Sequence, residues 1–429
     1  MRYIGTQARG IRLPIINDGD PLAEIVADYL VKVAEAEDFE LRSDDVVGIT
    51  EAVVAKAQGN YAMLEQLASD VRQKFPDGRI GIVYPILSRN RFFNILKGIS
   101  MGVKEVSILL SYPSDEVGNP IMDINKLDEL NDQLEELPPG PIPAKTFREI
   151  TGGFMHPFTD VDYITLYESF GAKVYFSNNP RDILRLSPHV LAADIHTRFL
   201  TQSRLKKAGA KTVFTLSDLL SESVEGSGFH PEYGVLGSNI STGDRLKLLP
   251  RNCDAFVAEV QEQVNILAGV KPEVLVYGDG AFKDPVHGIW ELADPAVSFG
   301  FTERLGGQPH EIKMKMVVDT HLADLKGDEL TKAVKDAILQ KSEDIGFDQE
   351  GTTPRRYSDL LGSLCDLVSG SGDKGTPVVL IQGYFDSYAD DGDYYGRNSN
   401  SNFRNGTESR NRSAKYSAGK GQAASPHRS

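Results

Sequence analysis

At 429 residues the chain is long enough for two or three domains of roughly 100–200 residues, and its 40% hydrophobic and 25% charged content is that of an ordinary globular protein. A formal net charge of -15 argues against a phosphate-backbone binder, which needs clustered Lys and Arg, but leaves room for a nucleotide in one local pocket. No run approaches the ~20 apolar residues of a membrane span, no secretion signal is visible, and Cys253 and Cys365 give neither a disulfide framework nor a zinc spacing, so a cytoplasmic protein with buried thiols is expected.

Arg12-Leu13-Pro14-Ile15-Ile16 reads as a short extended or turn segment, because the residue before a proline is pushed out of the helical region. Asp18-Gly19-Asp20-Pro21 then reads as a turn and helix start, with Leu22, Ile25, Val26, Tyr29 and Leu30 as the apolar face. Val46-Val47-Gly48-Ile49 is a strand that ends in Thr50-Glu51 and, a few residues on, Lys56: a hydroxyl, a carboxylate and an ammonium within seven positions.

Between 78 and 225, β-branched runs such as Ile80–Tyr84, Val106–Leu110, Lys173–Phe176, His189–Ala192 and Thr212–Phe214 alternate with helical patterns. That alternation predicts βαβ units and a mostly parallel sheet, whose ligands would sit beyond the carboxyl ends of its strands. Asp194, His196 and Arg198 fall at such an end, where they serve either a ligand or ordinary helix-cap chemistry.

Farther on, Gly234-Val235-Leu236-Gly237-Ser238-Asn239 is a glycine turn, and 254–267 is a helix with Phe256, Val257, Val260 and Val264 as its stripe. Glu273–Tyr277 is a strand delivering Gly278-Asp279-Gly280, with Lys283-Asp284 close behind. Asp279 reads equally as a metal ligand or as part of a tight turn. Trp290 reads as core.

A helix from about Leu360 to Val368 runs into Ser369-Gly370-Ser371-Gly372-Asp373-Lys374-Gly375-Thr376-Pro377 and the apolar strand Val378–Ile381. The glycines allow backbone N–H groups to approach a phosphate or a metal–phosphate complex, and they equally suit a plain helix-to-strand connection. From Ser387 the chain is rich in Ser, Asn, Gly and Arg, with seven basic residues against four acidic, and reads as a solvated tail.

Three blocks resemble the γ-glutamyl ligases of coenzyme F420 biosynthesis. They are Gly10–Ile16 with Gly19–Ala23, Ala55–Gly59 after its strand, and Gly370–Gly383 after the last helix. The resemblance implies an α/β fold: a ligase body built from the N- and C-terminal segments (1–77 and 226–386) with an inserted βα-alternating region (78–225), and composition adds a disordered tail (387–429). It implies a ligase that uses GTP or ATP and Mg or Mn to join L-glutamate to a carboxylate of a coenzyme F420 precursor through an acyl phosphate. Another acceptor acid, such as a folate, or a nucleotide-binding protein that has lost catalysis, are the alternatives. Small-molecule substrates are the expected partners, with no nucleic acid or membrane, and the resemblance suggests a homodimer.

By position, the resemblance assigns Leu13, Pro14, Ile15 and Ile16 to the nucleotide site. Thr50, Glu51 and Lys56 would approach the phosphates, Asn239 would help hold them, and the loop with Gly370, Gly372, Asp373, Lys374 and Gly375 would close over them. Asp279 and Asp284 are the candidate metal ligands. Two departures stand out: Leu236 occupies the place of a family aspartate, and Ser371 that of an acidic residue.

Overall fold

The computed structural model describes residues 4–88, 91–157, 159–278, 294–341, 355–370 and 373–390, and the backbone alone of 282–283 and 290–291. Residues 3–389 group into one compact unit; residues 1–2 and 390–429 fall in a second, of which only Asp390 is described. The glycosylation-type motifs at Asn405 and Asn411 lie outside the described residues.

In chain order the strands are β1 (Gln7–Ile11), β2 (Val46–Thr50), β3 (Tyr61–Met63), β4 (Arg79–Val83), β5 (Glu105–Leu110), β6 (Ile142–Pro143), β7 (Lys173–Phe176) and β8 (His189–Ala192). They continue as β9 (Thr212–Thr215), β10 (Asn239–Ile240), β11 (Arg245–Lys247), β12 (Glu273–Tyr277), β13 (Phe282–Lys283), β14 (Trp290–Glu291), β15 (Ser298–Phe301) and β16 (Val378–Gln382). The helices are α1 (Leu22–Ala36), α2 (Glu51–Ala57), α3 (Leu64–Lys74), α4 (Phe92–Gly102), α5 (Leu127–Glu135) and α6 (Ala144–Thr151). They continue as α7 (Tyr163–Glu168), α8 (Arg198–Lys207), α9 (Cys253–Ala268), α10 (Met314–Thr320), α11 (Gly327–Leu339) and α12 (Tyr357–Val368).

The first sheet has the order β1-β16-β2-β12-β15. It unites strands from both ends of the described chain with β12 and β15, since β16 inserts antiparallel between β1 and β2. Its central strands are short apolar runs covered on both faces, which is why they read as continuous hydrophobic stretches. Val47, Ile49, Val274, Val276, Val378 and Leu380 point to one side, against Val26 and Leu30 of α1 and Val257, Val260 and Val264 of α9. Val46, Leu275, Tyr277, Val379 and Ile381 alternate to the other, against Leu361 and Cys365 of α12. Both cysteines are buried and free, as their sequence context suggests.

The second sheet, β6-β7-β5-β4-β8-β9, uses only residues 79–215 and is parallel except where β6 meets β7. The chain moves outward from β4 through β5 to β7, then crosses to β8 and β9 on the other side of β4. The reversal puts a crevice at the carboxyl ends of β4 and β8. A small third sheet, β10-β11-β3, joins Tyr61–Met63 to the segments after the Gly234–Asn239 turn. The mixed helix and sheet content is that of an α/β protein.

Gly48 in β2 faces α12 so closely that a Cβ there would overlap the Cys365 sulfur. Gly48→Ala is therefore expected to destabilise the protein by about 1–3 kcal/mol, the usual cost of overpacking a dense core. Urea denaturation is the check, and an unchanged midpoint would show that α12 can shift freely.

Candidate active site

Strand direction decides what meets at the edge of the first sheet. β2 and β12 are parallel, with Thr50 opposite Tyr277, and β16 runs antiparallel to both β1 and β2. The carboxyl ends of β1, β2 and β12 therefore share one edge with the start of β16. At that edge emerge Arg12–Asn17, Thr50–Glu51, Gly278 and the 370–377 loop. Thr50 N–H donates to the Pro377 carbonyl at 3.0 Å, which fastens the end of β2 to the end of the glycine-rich loop. That loop is itself closed by an antiparallel bridge between Gly370 and Thr376. Asp373, Lys374 and Gly375 are exposed on it, whereas Ser371 and Gly372 lie outside the described residues.

Within the first block Ile16 is buried at 4% exposure, while Ile15 is 84% exposed and presents a large apolar side chain at the edge. Leu13 is half-buried and Pro14 exposed. The Gly19–Ala23 and Ala55–Gly59 blocks also meet each other: Gly19 N–H donates to the Ala57 carbonyl at 2.8 Å. A cavity of about 290 Å³ opens between them and α9, with Asp20, Leu22, Val54, Gln58, Phe256 and Glu259 in its wall.

Glu51 is the first residue of α2, where a carboxylate suits the positive end of the helix. Its carboxylate pairs with Lys247 of β11 at 3.4 Å. Lys247 lies directly across from Asn239 in the β10–β11 ladder, so the structure brings Glu51 and Asn239 together through a lysine that no sequence motif singled out. Lys56 falls elsewhere. Five positions after Glu51, it stands about 140° around α2, in the last turn and exposed.

A second ion pair lies beside Gly278. Asp294, fully buried, accepts from Arg91 at 2.7 Å, and the same guanidinium donates to the Gly237 carbonyl at 2.8 Å. Gly278 must be glycine here, since a Cβ would stand 2.5 Å from Asp294 Oδ2. Arg91, at the start of α4 in the region of the second sheet, thus ties the Gly234–Asn239 turn to the edge of the first sheet. Leu236 in that turn is fully buried in the apolar cluster of the second sheet, which explains why an aspartate is not accommodated there. Arg91→Ala leaves the Asp294 carboxylate buried without this partner and is expected to cost about 3 kcal/mol or more of stability; Arg91→Ala with Asp294→Asn should recover most of it by urea denaturation.

The Asp194, His196 and Arg198 group sits at the crevice of the second sheet and is engaged in local structure. The Asp194 carboxylate accepts from the Thr197 and Thr201 hydroxyls at 2.6 and 2.7 Å, and burial pushes its carboxyl up to about 6. Arg198 donates to the Ile195 carbonyl. The Glu116 carboxylate accepts the backbone N–H groups of Ile195, His196 and Thr197 at the start of α8. These are helix-start and loop bonds, the second of the two readings open from the sequence.

His230 fixes the other end of the glycine turn. Its Nε2–H donates to the Pro250 carbonyl at 3.1 Å, and its Nδ1 accepts from the N–H groups of Glu232 and Tyr233 at 3.2 and 3.0 Å. The ring is therefore a neutral tautomer, and burial lowers its pKa to about 4. Between that value and the ordinary ~6.5 the unfolded chain binds more protons than the folded one, so the contribution is full above ~6.5 and is lost as pH falls. From pH 7 to pH 5 this residue alone is expected to remove on the order of 2 kcal/mol of stability. His230→Gln should flatten that part of the pH–stability curve.

Among the described residues no cluster of three metal-ligating side chains occurs. The carboxylates at the sheet edge, Glu51 and Asp294, are each paired with a base. Asp279 and Asp284, the sequence candidates for a metal, lie outside the described residues, as does the side chain of Trp290. The described side chains do not by themselves fit a divalent cation. No helix among the described residues is long and apolar enough to cross a membrane.

The model of one protein family, F420-0:gamma-glutamyl ligase, matches residues 10–383. No curated protein matches the chain at a significant level.

Proposed function

The chain belongs to the F420-0:gamma-glutamyl ligase family, and from that premise we propose that it joins the amine of L-glutamate to a carboxylate of a coenzyme F420 precursor at the expense of GTP or ATP. The observation that carries this reading is the convergence of the first block's Arg12–Ile16 and the last block's 370–377 loop on one sheet edge, beside the Thr50–Glu51 strand end.

In the proposed reaction an acceptor carboxylate oxygen attacks the γ-phosphorus, the bridging P–O bond to the β-phosphate breaks, and nucleoside diphosphate leaves. The glutamate nitrogen then attacks the acyl carbon, the C–O bond to phosphate breaks, and inorganic phosphate leaves as the amine loses a proton. Such chemistry asks the protein for positioning and charge stabilisation rather than for a covalent nucleophile. The exposed Ile15 suits the apolar face of a base. The 370–377 loop, anchored by the Thr50–Pro377 hydrogen bond, carries Lys374 toward phosphates, and Lys56 is a further cation in the matched blocks. Mg²⁺ or Mn²⁺ would be held around Asp279 and Asp284. A cytoplasmic location and a homodimer belong to the same proposal.

Purified protein with nucleotide, Mg²⁺ or Mn²⁺ and glutamate is expected to release phosphate only when the acceptor acid is added. Intact-mass analysis of the product distinguishes a deazaflavin acceptor from a folate. No turnover across a panel of such acids would sink the ligase reading. Leu236, buried where the family resemblance expects an aspartate, favours the alternative of a nucleotide-binding protein without catalysis. That alternative predicts nucleotide affinity with little dependence on divalent metal.

A further inference from the structure

The carboxyl ends of the second sheet are tied to the same segment, 230–239, as the edge of the first. Beyond β4, Arg91 donates to the Gly237 carbonyl and to Asp294, which stands beside Gly278. Beyond β8, Arg198 at the start of α8 lies near Glu232 and Tyr233: burial pushes the Tyr233 phenol up, and the Arg198 charge opposes that rise. Tyr233 packs edge-on against Phe299 of β15, with ring centroids 5.8 Å apart. Phe299 in turn closes on Gly278, where a Cβ would stand 2.7 Å from its Cε2. Both lips of the second-sheet crevice therefore abut a segment whose other side meets the edge of the first sheet. A crevice at such a strand reversal is the usual ligand position of an open α/β sheet.

This crevice offers a ligand ring surface rather than free charge. The Glu116 carboxylate is taken up by the N–H groups at the start of α8, and the Asp194 carboxylate by two hydroxyls. Together with the exposed Glu232 they offset Arg198, so the crevice holds no surplus of positive charge for a polyphosphate. Phe199 is of another kind. It is 59% exposed, and the Arg198 guanidinium lies 4.5 Å from its ring centre, with Leu200 beside it as a further exposed apolar side chain. An exposed ring held by a guanidinium is a platform on which a flat heteroaromatic group can stack. Deazaflavins and pterins are both of that class.

We infer that the second-sheet crevice is the acceptor half of the ligase site: the flat heteroaromatic group of the acceptor acid stacks on Phe199, beside Arg198, and its carboxylate extends past Tyr233 to the edge of the first sheet. The inference rests on the ligase reading above and adds to it the place at which the acceptor binds. It also gives the βα-alternating region a task that the first sheet alone does not perform, since the two sheet edges then hold one substrate each.

The test is isothermal titration of the full chain with F420-0, with folate and with GTP, together with steady-state kinetics. Phe199→Ala is expected to weaken binding of the acceptor roughly three- to tenfold, the scale of a lost aromatic pair. The KM for the acceptor should rise by the same factor, with kcat and GTP affinity unchanged. Phe199→Trp should restore acceptor binding. Ile266→Ala, which trims a similarly exposed apolar side chain on α9, should bind the acceptor as the wild type does. Wild-type turnover with unchanged acceptor affinity in Phe199→Ala overturns the inference and leaves the ligase reading standing. An equal loss of GTP affinity in that variant overturns it too, because the effect would then not belong to the acceptor. A wild-type protein that neither binds nor converts either acid overturns the ligase reading and this inference with it.

Discussion

The arrangement of the site depends on one strand pairing. β16 lies between β1 and β2, so residues near position 380 hydrogen-bond with residues near positions 10 and 48. Closing a loop of that length has an entropic cost, but the cost grows only with the logarithm of the loop. It is offset by burying Val378, Val379, Leu380 and Ile381 completely. Because β16 is antiparallel to both neighbours, its beginning is delivered to their ends. The 370–377 loop can therefore reach Thr50 only while that pairing holds.

The long stretch between β2 and β12 contributes to the same edge from the side. Its six-stranded sheet is self-contained in its pairing, yet α4 begins with Arg91, whose guanidinium holds both Gly237 and Asp294. Through that side chain the orientation of the Gly234–Asn239 turn is coupled to the end of β12. Asn239 opens β10, and β10 places Lys247, so a contact made in one region sets the position of a cation in another. His230 stabilises the same turn from its other end through three hydrogen bonds to backbone groups.

The buried strands were legible because a strand covered on both faces needs apolar residues at nearly every position, as in β2, β12 and β16. The βα alternation of 79–215 was legible for the same reason, and α1 and α9 through their 3.6-residue stripes. β1 was not, since Gln7-Ala8-Arg9-Gly10-Ile11 pairs on one side only and carries little hydrophobic signal. The two- and three-residue strands of the small sheet fall below any period that a sequence can display. Among the residues gathered at the sheet edge, Thr50, Glu51 and Asn239 stood in recognisable motifs. Lys247, Arg91 and Asp294 did not, because their proximity is made by register and by a long-range ion pair rather than by spacing along the chain. Lys56, conspicuous in its motif, stands in the last turn of α2, about 140° around the helix from Glu51.

The two ion pairs at this edge are unequal, and burial makes the difference. Asp294 is fully enclosed and Arg91 is 12% exposed, so separating them would strand a charge away from water. That pair is suited to hold geometry. Lys247 and Glu51 are 18% and 13% exposed, with Glu51 Oε2 itself buried, and their 3.4 Å separation is long for a charge-assisted bond. Both pairs thus hold the edge together, the first by joining it to the region of the second sheet and the second by joining it to the small sheet.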